Sequence, residues 1–219
     1  MKKLFAWAVL AGLAAGVSQA SAEPPPAYEG RRLYVSYCQL CHGEGGKGDG
    51  PLARQMGITP ADLTTTVRSR SDTILTKIIT GRGGQTIAGR ARHNILSEAM
   101  PDWEKVFSDD KVGAIIAYLR ILSRSKHRLI GDPEVGFKLY QKYCAACHGE
   151  EGDGRGVMTA IMKFRPADHT NSIQTEALSN DDMAGVIRYG KGGFMPAWDD
   201  ILTAEEIDGL VSYIRLLSY

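Results

Sequence analysis

The four cysteines of this 219-residue chain occur as two pairs that share one pattern. Residues 38–42 and residues 144–148 both read Cys-x-x-Cys-His. Thiols at this spacing can meet on one helical turn, and cysteine sulfur and imidazole nitrogen are both metal ligands. The pattern therefore predicts two centres of the same kind. The residues concerned are Cys38, Cys41, His42, Cys144, Cys147 and His148.

Cys-x-x-Cys-His is the sequence at which haem c is attached to protein. The two thiols add to the two vinyl groups on one edge of the porphyrin, and the histidine binds the iron from one side. We therefore expect two covalently bound haem c groups. The cofactors are bound by Cys38, Cys41, Cys144 and Cys147, and the irons by His42 and His148.

Three other kinds of centre use similar cysteines. A redox-active disulfide needs Cys-x-x-Cys alone and gives no reason for a histidine after both pairs. A structural zinc site or an iron–sulfur cluster would have to draw four ligands from the two pairs together. Because each pair is followed by its own Met-Pro-x-Trp sequence, one haem for each pair is favoured.

The second half of the chain repeats the first. The pattern of residues 30–44 recurs at 136–150 with an offset of 106, whereas the Met-Pro-x-Trp sequence recurs with an offset of 95. The first copy is therefore longer by 11 residues, and the alignment of the glycines places this insert within about residues 85–98. We expect two domains, module 1 over residues 23–126 and module 2 over residues 127–219.

Met100 and Met195 occupy matching positions in the two copies and are the predicted second ligands of the irons. A thioether is a soft, neutral ligand that favours Fe(II) and raises the reduction potential. The proline after each methionine stiffens the loop that presents the sulfur. His93 lies in the insert and is an alternative ligand to Met100. The other methionines of the mature chain are interpreted as core residues: Met56, Met158, Met162 and Met183.

Hydrophobic periodicity predicts an all-α fold, with no sustained alternation that would indicate a strand. Short helices over 28–37 and 133–143 lead into the two cysteine motifs. A longer helix over 109–122 closes module 1. Its counterpart begins at the capping box of Thr203 and Glu206 and continues to the C-terminus.

The N-terminus predicts export. Lys2 and Lys3 precede an apolar run over residues 4–17 and a small-residue cleavage pattern, so residues 1–22 are predicted to be a cleaved signal peptide. A retained membrane anchor is the alternative, but the run is shorter than the roughly 18–20 residues that span a bilayer. We expect a periplasmic protein without a membrane span after cleavage.

Charge divides unevenly between the modules. Without Lys2 and Lys3, the chain has 24 Lys and Arg residues against 25 Asp and Glu residues, which gives no indication of a nucleic-acid partner. Module 1 holds 15 basic and 11 acidic residues, a net charge of +4, whereas module 2 holds 9 and 14, a net charge of −5. This asymmetry suggests that the modules dock different redox proteins.

On these motifs both modules resemble class I cytochrome c domains, and the tandem pair resembles the di-haem cytochrome c4 family over nearly the whole mature chain. The resemblance implies a few helices wrapped around one covalent haem in each module. It implies that Gly30 and Tyr34 face Tyr118 where the terminal helices of module 1 cross, and that the same holds for Gly136, Tyr140 and Tyr213 in module 2.

The resemblance also implies that the backbone carbonyls of Pro60 and Pro166 orient the iron-binding histidines. The insert in module 1 departs from the compact pattern of module 2.

An iron bound by histidine and methionine has no open position for a substrate, so the expected function is electron transfer rather than catalysis. The first hypothesis is a periplasmic di-haem cytochrome that carries single electrons between a redox donor and an oxidase or reductase. The second is the electron-accepting subunit of a periplasmic dehydrogenase complex. The third is a di-haem enzyme, such as a peroxidase or a thiosulfate-oxidising cytochrome, which requires an open or labile ligand at haem 1.

Overall fold

The computed structural model describes residues 24–82 and 100–218. The predicted signal peptide, the insert of module 1 and His93 lie outside the described residues. Within these ranges the chain is helical, and the strand-like pairing is an isolated bridge between Lys191 and Met195. In the described segments, no helix combines the length and the apolar character needed to cross a membrane.

The order of helices repeats along the chain, as the sequence repeat predicts. Module 1 contains α1 (Pro26–Tyr37), α2 (Gln39–His42), α3 (Pro51–Met56), α4 (Leu63–Thr66), α5 (Asp72–Thr80) and α6 (Asp109–Arg124). Module 2 contains α7 (Pro133–Tyr143), α8 (Ala145–His148), α9 (Val157–Met162), α10 (Ser172–Ala177), α11 (Asn180–Tyr189) and α12 (Ala204–Leu217).

The longest helices begin at side chains that cap them. Ser108 accepts a hydrogen bond from the Lys111 amide at the start of α6. The predicted capping box is present at α12, where Thr203 and Glu206 each bond the other's backbone amide. Such caps satisfy amides that would otherwise lack a partner and stabilise a helix by about 1 kcal/mol. The described residues form helices and no named strand, so the all-α prediction is confirmed.

The first and last long helices of each module cross at a glycine. A Cβ atom on Gly30 would lie 1.8 Å from the carbonyl oxygen of Ala114, and one on Gly136 would lie 2.0 Å from that of Gly209. Beside each crossing two tyrosines pack together, with ring centroids 5.3 Å apart in module 1 and 5.2 Å apart in module 2. Both crossings therefore have the arrangement that the resemblance implies.

The crossing predicts that Gly30→Ala lowers the free energy of unfolding by about 1–3 kcal/mol, since α1 and α6 must separate to admit the methyl group. Gly113→Ala is the matched control on α6, because a Cβ atom there meets nothing within 4 Å. The control should be neutral or stabilising by up to about 1 kcal/mol, the helix propensity gained over glycine. Urea unfolding of the haem-loaded proteins measures both, and equal effects would contradict the prediction.

An arginine from the last helix of module 1 donates hydrogen bonds to the loop before α5. Arg120 donates to the carbonyl oxygens of Val67, at 2.5 Å, and Arg70, at 2.6 Å. It also donates to the carboxylate of Asp72, at 3.1 and 2.5 Å. We call this set of bonds the arginine clamp of module 1.

Module 2 contains the same clamp with one change. Arg215 donates to the carbonyl oxygens of Thr175 and, at 2.6 Å, Leu178. Its third partner is the amide oxygen of Asn180, at 3.1 Å, where module 1 has a carboxylate. The shared carbonyl partners make Val67 equivalent to Thr175 and Arg70 equivalent to Leu178.

The modules meet through the start of α1. Tyr28 is 3% exposed and packs against Phe137 and Tyr213, with ring centroids 5.3 and 5.8 Å apart. Its hydroxyl lies 2.5 Å from the carboxylate of Glu134. An aromatic side chain of module 1 is therefore buried on the outer surface of the α7–α12 crossing.

The linker between the modules is hydrogen-bonded to module 2. The Ser125 hydroxyl and the Lys126 amide donate to the carboxylate of Glu176, at 2.7 and 3.0 Å. The amides of Ile130 and Gly131 both donate to the hydroxyl of Ser212, at 2.9 Å. The linker thus packs as part of module 2.

Candidate cofactor sites

Each cysteine motif is placed by a bend between two helices. α1 ends at Tyr37, and α2 then forms a single turn in which the His42 amide donates to the Cys38 carbonyl oxygen at 2.8 Å. Module 2 repeats the bend, with backbone angles at Cys144 within about 2° of those at Cys38. This turn brings both sulfurs and the imidazole of each motif to one short stretch of backbone.

The first thiol of each pair is held in its uncharged form. All four cysteines are free in the structure. Burial, with a smaller contribution from the second thiol of each pair, raises the pKa of Cys38 to about 11 and that of Cys144 to about 12. Thiol–disulfide exchange instead requires a lowered pKa that stabilises the thiolate. Neither Cys38 nor Cys144 therefore has the lowered pKa of a reactive thiol.

The two histidines are oriented by backbone carbonyls. His42 Nδ1 lies 3.2 Å from the carbonyl oxygen of Ala61, and His148 Nδ1 lies 3.1 Å from that of Ala167. Since a carbonyl only accepts, Nδ1 carries the proton and Nε2 keeps a free lone pair for a metal. Burial lowers the pKa of both rings, which keeps them neutral at pH 7.

The acceptors differ from those that the resemblance implies. Pro60 and Pro166 were the expected carbonyls, but the structure uses the next residue in both modules. The Pro60 carbonyl oxygen is turned toward Gly48 instead, where a Cβ atom would lie 2.4 Å from it. The proline is therefore adjacent to the orienting group and is not the group itself.

A cavity of about 490 Å³ lies beside the motif of module 1. Its walls are mostly apolar side chains from α3, α5, α6 and the loop that follows the insert. Both cysteines of the motif, His42 and Met100 lie in the lining, although Met100 is distant from the motif in sequence. A pocket of this volume suits a cofactor-sized ligand.

These residues fit haem c. One part of the lining supplies two thiols and a neutral imidazole, and another supplies a thioether. The rest of the lining is mostly apolar. Trp103 and Phe107 stack at 5.1 Å and Tyr37 packs edge-on against both, so aromatic rings form part of the wall.

The predicted methionine of module 2 lies on a tight loop. Lys191 and Met195 exchange backbone hydrogen bonds of 3.2 and 3.4 Å. Gly190, with φ +74°, allows the loop to close, because a Cβ atom there would lie 2.5 Å from the Met195 carbonyl oxygen. Met195 and Trp198 pack against the core, and Trp198 contacts Tyr143 at 5.0 Å.

Two further methionines were misinterpreted. Met56 and Met162 are 56% and 44% exposed and do not belong to the buried core cluster, whereas Met183 is buried as predicted. Met56 lines the cavity of module 1 and is a second thioether there. The repeat contains the signal that was missed, because the two residues are separated by the same offset of 106.

A second histidine lies against His148. The rings of His148 and His169 stack with centroids 4.4 Å apart and an interplanar angle of 18°. Burial, with a smaller contribution from the neighbouring His148, lowers the pKa of His169 to about 3. Leu63 occupies the equivalent position in module 1. Only a residue-by-residue comparison of the repeat reveals this difference.

A family model described as "Cytochrome C oxidase, cbb3-type, subunit III" matches residues 25–119 and 131–214. The chain is 28% identical over 199 residues to the cbb3-type cytochrome c oxidase subunit CcoP of Azospirillum brasilense, covering 86% of this chain and 61% of that protein. It therefore spans about three fifths of this relative. Cytochrome c6 of Bryopsis maxima is 37% identical over 84 residues, which are 38% of this chain and 90% of that protein.

Among solved structures, a chain of the Kuenenia stuttgartiensis reducing HAO-like protein complex aligns with 90% of this chain and 99% of its own length, at 23% identity and a TM-score of 0.36.

The family match covers both modules, and each matched segment contains one Cys-x-x-Cys-His motif. The chain therefore belongs to the cbb3-type cytochrome c oxidase subunit III family, as a di-haem c-type cytochrome with one covalently bound haem in each module.

Proposed function

We propose that this protein is an exported electron carrier that transfers single electrons between redox proteins in the periplasm. The observation that carries the proposal is the shared lining of the module 1 cavity, in which His42 and Met100 can bind one iron from separate parts of the chain. An iron with both positions filled exchanges electrons and binds no substrate.

The haem supplies the one-electron chemistry, and the chain's own residues keep the cost of reorganisation low. The carbonyls of Ala61 and Ala167 hold the iron-binding histidines in one orientation. The mostly apolar lining of the cavity offers few groups that bind water, so little solvent would reorient when the charge of the iron changes. Neither role involves a proton.

A carrier with filled iron positions should not bind carbon monoxide in its ferrous form. Both irons should be low-spin, and the reduced protein should transfer two electrons, one from each haem, to a small one-electron oxidant such as ferricyanide. Optical spectroscopy and anaerobic stopped-flow mixing test this. Rapid carbon monoxide binding, or turnover of peroxide or thiosulfate, would instead support the enzyme hypothesis.

A second candidate is an electron-transferring subunit within a larger redox complex. The Azospirillum relative is named as an oxidase subunit, which favours this candidate, although this chain spans 61% of it. Affinity capture of the tagged protein from its own host separates the two. Recovery with a catalytic subunit in fixed ratio supports the subunit, and recovery as a single chain supports the free carrier.

We also propose that the modules use charge to choose partners, since module 1 has a net charge of +4 and module 2 a net charge of −5. Association between opposite charges weakens as salt screens them. Rates of electron exchange with both partners should therefore fall as ionic strength rises from 10 to about 300 mM. Rates that do not change with salt would contradict this part of the proposal.

A further inference from the structure

Equivalent positions beside the two haem sites carry different residues. The arginine clamps bind the carbonyls of Arg70 in module 1 and Leu178 in module 2, which makes these two residues structural equivalents. The amides of Leu63 and His169 each donate to a glycine carbonyl at 2.7 Å, so these two residues also share one backbone position. The differences therefore lie in side chains on a common backbone.

Arg70 places a positive charge in the lining of the module 1 cavity. Among the described lining residues it is the one Lys, Arg, Asp or Glu side chain. Its Nη1 donates to the Thr66 carbonyl oxygen at 3.0 Å, and its other N–H groups, which have no hydrogen-bond partner among the described residues, can bind a carboxylate such as a haem propionate. A fixed positive charge near an iron favours Fe(II) over Fe(III). Leu178, which is 43% exposed, provides no such charge in module 2.

His169 changes the surroundings of the iron-binding histidine in module 2. The face of an aromatic ring attracts positive charge. The imidazole of His148 gains positive character when its iron is oxidised, so the stacked ring of His169 favours Fe(III). The aliphatic Leu63 has no such effect in module 1. The net charges of +4 and −5 act in the same direction as these two differences.

We propose that module 1 holds the haem of higher potential and module 2 the haem of lower potential, with Arg70 and His169 as the residues that separate them. One electron leaves the iron of module 2, which goes from Fe(II) to Fe(III), and reduces the iron of module 1 from Fe(III) to Fe(II). A one-electron donor protein reduces module 2 again, and a one-electron acceptor protein oxidises module 1. This inference deepens the proposed carrier function by giving it a direction.

The first test is a spectroelectrochemical titration of the two-haem protein with Arg70→Gln. The upper of the two potentials should fall, and the lower should stay in place. At an effective dielectric constant of about 20, loss of one unit charge should change the equilibrium constant for electron exchange between the two haems by about tenfold. This corresponds to a shift of about 59 mV in a one-electron reduction potential. Leu178→Arg should raise the lower potential.

Lys77→Gln is the matched control, because it removes the same charge from an exposed position on α5, outside the cavity lining. Its shift should be less than a third of that in Arg70→Gln. An equal shift would show that overall charge, and not the position of Arg70, sets the potential, and would overturn the role of Arg70.

The second test exchanges the other pair. His169→Leu should raise the lower potential, and Leu63→His should lower the upper one. Each variant installs the residue that the other module already uses at this backbone position, which favours correct folding. Haem content and far-ultraviolet circular dichroism confirm folding before titration.

The proposal is overturned if Arg70→Gln shifts the lower reduction potential. It is also overturned if Arg70→Gln and His169→Leu shift the same potential, or if neither variant shifts either potential. These outcomes are separate from failure of the proposed function. The titration uses the isolated protein with small mediators, so it orders the potentials even if no partner protein exchanges electrons with the chain.

Discussion

Replacing Cys38 and Cys41 together with alanine is expected to yield a protein with one haem instead of two, attached in module 2. Without thiols no thioether bonds form, and His42 alone leaves the porphyrin without a covalent attachment. The module 1 cavity of about 490 Å³ would then have no occupant. At about 24 cal/mol per Å³ an empty cavity of this size would cost on the order of 10 kcal/mol, comparable with the whole stability of a domain.

Module 1 should therefore lose its cooperative unfolding transition in this variant, while the haem of module 2 keeps its spectrum. Intact-protein mass spectrometry gives the number of porphyrins, and calorimetry gives the transitions. The matched variant replaces Cys144 and Cys147 and should lose the other haem. A variant that still carries two porphyrins by mass would exclude these cysteines as attachment sites.

Met100→Ala is expected to open one position on the haem 1 iron. The ferrous form should then bind carbon monoxide at haem 1, and the ferric form should keep only the thioether charge-transfer band of haem 2. The reduction potential should fall by a substantial part of the roughly 0.8 V range that axial ligands span, because a water molecule favours Fe(III) more than a thioether does. The second haem in the same protein provides an internal reference.

Met56→Ala is the matched control, because Met56 is a second thioether in the same cavity lining. It should leave ligation unchanged. If Met56→Ala opens the iron and Met100→Ala does not, the ligand assignment is wrong. A low-spin Met100→Ala protein would indicate a replacement ligand, and adding His93→Ala would show whether the insert supplies it. Met195→Ala should open the haem 2 iron in the same way.

The helices could be predicted because their signals are local. Periodicity marked α6, and Thr203 with Glu206 marked the start of α12. The crossing glycines came from family resemblance, and the 1.8 Å approach at Gly30 explains why no larger residue fits there. In each case the residue that carries the signal is also the one at the contact.

The carbonyls that orient the histidines could not be predicted from their own residues. Every residue offers a carbonyl, so Ala61 carries no mark of its role, and the neighbouring Pro60 drew attention because proline is distinctive. The arginine clamp was missed for a related reason. The repeat of Arg120 as Arg215 was visible, but the partners of both arginines are mostly backbone oxygens some 40 to 50 residues away.

Tyr28 contacts module 2, and the linker is hydrogen-bonded to it. Together these contacts hold the two modules in one arrangement. Electron tunnelling slows steeply with distance, so a fixed separation gives one rate of exchange between the irons. A loose tether would spread that rate over many separations and make it depend on the viscosity of the medium. In this chain the rate of electron exchange between the two irons should not depend on viscosity. Diffusion should limit only the arrival and departure of a partner protein.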